Sequence, residues 1–174
     1  MVHGDDSGLK LPPRVAPIQA VIIPIWRKAE EQGPVEEWVG RVVETLDDVR
    51  THVDRRDDKT PGWKFNEWEL RGVPLRIEAG PRDVQNQQVV VVRRDTREKQ
   101  VIANDDLAST VSALLETIQQ DMFTAAQAFL RENTVGVTSL DELYERARNN
   151  AGFSLAGWCG DEECETKVKN ESRA

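Results

Sequence analysis

PGWKFNEWELRGVPLRIEAGPRD, residues 61–83, changes its hydrophobic period halfway along. Pro61-Gly62 is a turn signal. Lys64 to Gly72 then reads as a short helix with Phe65, Trp68 and Leu70 as its apolar residues. Gly72 closes it, as glycine commonly does at a helix end. From Val73 the period becomes two. Val73, Leu75, Ile77 and Ala79 point one way, and Pro74, Arg76 and Glu78 the other. Arg76 and Glu78 therefore share the face away from the core. Glu69 precedes this strand, and Arg82 and Asp83 follow the Gly80-Pro81 turn. Acids and bases gathered on one exposed edge suit a polar ligand that offers both donors and acceptors. The alternative is a solvated strand face with surface ion pairs, each worth little.

Working outward, Ile18 to Ile25 is apolar nearly throughout, which predicts a strand buried on both faces. Residues 34–53 read as a helix with Pro34 in its first turn and Val35, Trp38, Val39, Val42, Val43, Leu46 and Val49 as its stripe. The charge run at residues 54–59, DRRDDK, reads as a solvated loop. Gln88 to Arg94 holds four consecutive valines and predicts a buried strand. Thr96-Arg97-Glu98 is a hairpin-like turn, and Lys99 to Ala103 returns as another strand. Asn104 is placed to cap a long helix whose stripe runs from Leu107 to Phe129. Ser139-Leu140-Asp141-Glu142 has the capping-box pattern and starts a further helix. Phe153 to Trp158 reads as a short strand and Asp161 to Asn170 as a short helix. Residues 1–17, rich in Gly, Pro and Asp, read as a loop. Strands alternating with helices give an α/β class with a mixed sheet.

At 174 residues the chain can hold one well-buried domain, or one domain and part of another. Hydrophobic and charged contents of 39% and 31% fit a globular protein. No apolar run approaches the roughly 20 residues of a membrane span. There is no secretory signal pattern, and with two cysteines this points to a reducing compartment, the cytoplasm. The net charge of −8 argues against a general affinity for nucleic acid. Its distribution matters more. Residues 61–99 carry eight bases and six acids, a local balance of +2. RNA binding here would rest on a local patch and base contacts, with a shallow salt dependence. There is no Gly-rich phosphate loop and no Ser/His/Asp constellation.

The 61–83 block, followed by VVVVRRDTREK, resembles the anticodon-binding domain of prolyl-tRNA synthetases of the archaeal and eukaryotic-like form. The N-terminal HGDDSGLKLPPRVAPIQ is similar to that family's passage out of its catalytic domain, and residues 158–164, WCGDEEC, to the start of its C-terminal zinc-binding domain. The three blocks occur in family order. The resemblance implies a mixed five-stranded sheet flanked by helices, the anticodon-binding fold of class II synthetases. It also implies part of a small C-terminal α/β zinc-type domain. Residues 1–17 would end a catalytic domain, 18–123 form the anticodon domain, and 124–174 begin the zinc-binding-like domain. The chain then reads as a C-terminal fragment of a homodimeric ligase that attaches proline to tRNA(Pro). The catalytic motifs, with their ATP and Mg, would lie upstream of Met1, so the fragment should not make prolyl-adenylate and no catalytic residue is assigned.

Proline anticodons carry guanine at their second and third positions. An unstacked guanine offers N1–H and N2–H donors and O6 and N7 acceptors, which suit a carboxylate and an arginine. Glu69, Arg76, Arg82 and Asp83 fall where the family places its anticodon contacts. Glu78 is a further candidate on the strand face of Arg76. Some family members carry Lys where Arg82 stands. Lys64 and Arg93 are expected to face phosphate or solvent. Cys159 and Cys164 resemble half of a four-cysteine zinc site. Structural zinc needs four ligands, so no metal is assigned to the fragment, and both thiols are candidate ligands only in an intact protein. Two alternatives stand beside this reading: a stand-alone tRNA-binding or regulatory module, and the anticodon domain of a class II synthetase for threonine, glycine or histidine.

Overall fold

A computed structural model describes residues 3–172. The elements run β1 (Gly4–Asp5), β2 (Gly8–Leu9), β3 (Ala20–Pro24), α1 (Ala29–Thr45), β4 (Thr51–Val53), α2 (Pro61–Leu70), β5 (Leu75–Ala79), α3 (Pro81–Asn86), β6 (Gln88–Arg93), β7 (Lys99–Ala103), α4 (Asn104–Glu132), β8 (Thr134–Gly136), α5 (Leu140–Arg148), β9 (Phe153–Leu155) and α6 (Glu162–Ser172). The chain divides into two compact units between Asp121 and Met122.

In the first unit a five-stranded sheet has the order β4-β3-β5-β6-β7. β3 pairs in parallel with β4 and β5, and β6 runs antiparallel to both β5 and β7. This is the mixed sheet expected from the sequence. Paired residues share a face. Ala20, Leu75 and Arg93 therefore lie on one side, and Val21, Arg76, Val92 and Lys99 on the other. The first side is covered by α1, which buries Val35, Trp38, Val39 and Val42. It also faces α4, since Arg93 Nη2 reaches Asp121 at 2.7 Å. On the second side α2 packs Trp68 onto Val21, Ile23 and Val73, with Phe65 beside them.

Several sequence expectations needed correction. The helix read at residues 34–53 starts at Ala29 and stops at Thr45, with Pro34 inside it. Glu31 supplies the earlier start, accepting hydrogen bonds from the Arg27 and Lys28 N–H groups at 2.9 and 3.2 Å. Asp47 and Asp48 sit beyond the last turn, where the helix dipole disfavours negative charge. Residues 51–53 then join the sheet as β4. The central helix begins at Pro61 because Thr60 caps it, its Oγ1 accepting from Trp63 N at 3.3 Å. Asn104 is the first residue of α4 and not its cap, and its Oδ1 is buried without a hydrogen-bond partner.

The described part of the N-terminal stretch is no plain loop. β1 and β2 form a small hairpin. Gly8 has φ +123°, and a Cβ there would lie 2.5 Å from Leu70 Cα. Gly72, at φ +74°, meets Leu9 as closely, 2.6 Å from Leu9 Cβ. The two glycines let the hairpin lie directly on the C-terminal end of α2. Met1 and Val2, which open that stretch, lie outside the described residues.

The charge run is a loop, as read, with Arg55, Asp57 and Asp58 exposed, but its first residue is not solvated. Asp54 is buried and accepts from Trp68 Nε1 at 2.7 Å and from Arg56 Nε and Nη2 at 2.9 and 2.6 Å. Lys64 is buried too, donating to the Asp54 carbonyl at 3.1 Å. Arg56 continues to Glu67 at 2.5 Å. The Arg56 guanidinium, more than any other neighbour, holds the Asp54 carboxyl well below the usual carboxylate range. This network fastens α2 to the end of β4.

In the second unit β8 and β9 pair in parallel beside α5 and α6. Ser139 caps α5 as expected, accepting from Glu142 N at 3.2 Å. The strand read at residues 153–158 ends at Leu155. No helix among the described residues is long and apolar enough to cross a membrane.

Candidate nucleic-acid interface

β5 is the central strand of the sheet, so its charges do not lie on a sheet edge. Arg76 and Glu78 do share a face, as the alternation predicts, but they are half-buried there. Arg76 donates from Nε and Nη2 to Glu78 Oε1 at 3.0 and 2.9 Å. Its guanidinium carbon lies 4.1 Å from the centre of the Phe65 ring, within cation–π range. Lys99 Nζ approaches Glu78 Oε1 at 3.7 Å. The burial has a simple cause. α2 covers the β3 half of this face and stops beside β5, so the side chains of β5 stand against its flank. In the sequence Phe65 reads only as an apolar residue of α2, and nothing in the spacing of that helix signals this second role.

An inner cavity of about 200 Å³ opens over Arg76. Its polar lining comes from Glu69, Arg76, Arg94, Arg97 and Lys99, and its floor from Val21 and Val92. Glu69 lies near the C-terminal end of α2. Arg97 Nη2 stands 2.9 Å from Glu69 Oε1. Oε1 is buried and makes no hydrogen bond, so the two meet as an ion pair off hydrogen-bond geometry. An outer cavity of about 520 Å³ lies past the C-terminal ends of β3 and β5, lined by Trp26, Arg27, Glu31, Glu78, Arg82 and Asp83. Parallel neighbours leave such a crevice beyond their carboxyl ends. Trp26 and Arg27 follow β3 after Ile25. That rule could have found them in the sequence.

Arg82 and Asp83 lie in α3, a short helix in place of the expected turn. Asp83 Oδ2 accepts from Gly80 N at 2.9 Å, and Oδ1 from Gln88 Nε2 at 3.3 Å. Arg82 is exposed and pairs with no other described residue. The five candidates thus surround two adjoining cavities, with the Arg76–Glu78 pair between them. Lys64 and Arg93, expected to face phosphate or solvent, are both buried, Arg93 at the wall of the inner cavity. Lys64 is held inside by Asp54, and Arg93 binds Asp95 at 3.0 and 2.6 Å and Asp121 at 2.7 Å.

Cys159 and Cys164 are free, the first exposed and the second half-buried. The Asp161 backbone N–H and then the Cys164 thiol hold the Cys159 thiol below its ordinary range, while the Cys159 thiol pushes Cys164 up. Among the described residues no three His, Cys, Asp or Glu side chains come together to hold a metal. Two thiols do not complete a tetrahedral zinc set, and a zinc-type domain is not established by this unit.

The sequence profile described as "Anticodon binding domain" matches residues 19–114. The chain is 47% identical over its whole length to a proline--tRNA ligase of Natranaerobius thermophilus, and 46% identical over 172 residues to one of Lachnospira eligens. It spans 36% of the length of each. A prolyl-tRNA synthetase from Cryptosporidium parvum, solved with L-proline and AMP, superposes with a TM-score of 0.83 at 39% identity. That match covers 99% of this chain and 37% of the other. The sheet, its open charged face and these matches together place the chain in the anticodon-binding domain family.

Proposed function

We propose that this chain is the anticodon-reading part of a proline--tRNA ligase and that its open sheet face holds the anticodon loop of tRNA(Pro). The observation that carries this is the pair of adjoining cavities flanking Arg76–Glu78, each offering both an acid and a base. A guanine presents donors on one edge and acceptors on another, so each cavity can satisfy one base. Glu69 and Arg76 serve the inner base. Arg82 and Asp83 serve the outer one, with Trp26 as an aromatic surface at its side and Glu78 shared between them. The apolar floor of Val21 and Val92 excludes water beneath the inner base, which strengthens the polar contacts above it.

The whole ligase would join proline to tRNA in two steps that use ATP and Mg, work in the cytoplasm as a homodimer, and draw on this chain for recognition and not for activation. Cys159 and Cys164 would complete a zinc site there with ligands from elsewhere. The named relatives are proline ligases, which disfavours the threonine, glycine and histidine alternatives. A filter-binding comparison of purified tRNAs tests the reading. Proline tRNA should bind tightest. Equal retention of the threonine, glycine and histidine tRNAs would refute it.

A further inference from the structure

Glu69 is held at two points by arginines that the N-terminal hairpin holds in turn. Its backbone carbonyl accepts from Arg94 Nε at 2.9 Å. Its carboxylate faces Arg97. Arg94 is buried and makes a two-pronged pair with Asp5, Nη1 to Oδ2 at 3.0 Å and Nη2 to Oδ1 at 2.7 Å. The Arg94 guanidinium, first among its neighbours, holds the Asp5 carboxyl well below its ordinary range. Arg97 donates from Nη2 to Ser7 Oγ. Asp5 and Ser7 are themselves joined, since Ser7 N donates to Asp5 Oδ1 at 2.9 Å. Arg97 has φ +62°, a left-handed backbone that few non-glycine residues adopt. It is the left-handed position of the tight β6–β7 turn, where Arg97 N also donates to the Arg93 carbonyl at 3.1 Å.

We infer that the hairpin is a positioning device for base readout: Asp5 and Ser7 set Arg94 and Arg97, and these two fix the backbone and the carboxylate of Glu69. This rests on Glu69 contacting a base. Glutamate has several free torsions, and ordering them during binding opposes affinity. A carboxylate that must meet a guanine donor with its remaining oxygen also tolerates little displacement. Arg97 supplies both the order and the charge balance before RNA arrives. It acts through Glu69, as a positioning residue, and not on phosphate.

The test uses the full chain and two anticodon stem-loop RNAs, one with both guanines and one with a single guanine replaced, followed by fluorescence anisotropy across salt concentrations. Arg97→Ala should reduce the preference between them about tenfold, the scale of one lost base contact. Ser7→Ala should reduce it by a few-fold and Ser7→Thr should restore it, because the hydroxyl returns. Binding of the substituted RNA should stay within about twofold, with an unchanged salt slope. If Arg97→Ala weakens both RNAs alike and flattens the salt slope by about one, Arg97 is a phosphate contact and the inference fails. If Glu69→Ala erases the preference while Arg97→Ala and Ser7→Ala keep it, the relay fails and the readout stands. If Glu69→Ala leaves the preference intact, the readout fails and the relay with it. Ser7→Ala removes one surface hydroxyl and leaves the fold intact, so it decides the matter if Arg97→Ala does not fold.

Discussion

The inner and outer cavities meet at one ion pair yet are built on different terms. The polar groups of the inner cavity are already engaged: Arg76 with Glu78 and Phe65, Glu69 with Arg97, Arg94 with Asp5. The outer cavity is larger and presents Arg82, which pairs with no other described residue. A base entering the inner cavity meets side chains fixed in advance, so little ordering opposes it there. A base entering the outer cavity must order Arg82 itself. On the proposed reading, the inner cavity would set which base is accepted, and the outer one would add attraction with less discrimination.

The largest effect should come from the network that fastens α2 to the end of β4. Asp54→Ala leaves Lys64 buried without its counter-charge and Trp68 Nε1 without an acceptor. The loss should be about 3–5 kcal/mol of stability, measured by chemical denaturation. The same carboxylate gives an acid signature. Its folded pKa is depressed, so its contribution is present above the unfolded value of about 3.9 and is lost as pH falls below it. Stability of the intact chain should thus drop below about pH 4, more steeply than in Asp54→Asn. A variant as stable as the parent would mean that α2 does not depend on this network.

Next in size is Arg76→Ala. It should remove about 1–3 kcal/mol of preference for the guanine-bearing stem-loop. Asp83→Ala removes the acceptor of the Gly80 N–H. It should lower stability by about 0.5–2 kcal/mol, as lost caps do, and reduce binding of the outer base. Smallest is Arg82→Ala. It should weaken both stem-loops by less than about 1 kcal/mol, the scale of an exposed charge. If Arg82→Ala instead erased the preference and Arg76→Ala spared it, the contrast between the cavities would be reversed.

Local patterns made much of this legible. The alternation through Leu75, Ile77 and Ala79 marks the buried face of β5, and the valines of 89–92 mark β6. The turn at Arg97 and the Ser139 cap are equally local signals. What escaped depends on parts distant in sequence. Asp54 looks solvated within a charge run, and only Trp68, 14 residues on, brings it inside. Arg76 and Glu78 look exposed by alternation, and only the placement of α2 against β5 half-buries them. The hairpin of residues 4–9 shows no periodic pattern because two-residue strands are too short for one. Its role is visible only through Arg94, 89 residues from Asp5.

The most direct measurement is the affinity of the full chain for the proline anticodon stem-loop against versions in which either guanine is replaced. Readout by these cavities requires a preference of about tenfold or more over the version lacking the inner guanine, largely lost in the Glu69→Ala/Arg76→Ala double variant, and a smaller preference over the version lacking the outer one. Equal affinity for all the stem-loops, with the same salt dependence in parent and double variant, would contradict it.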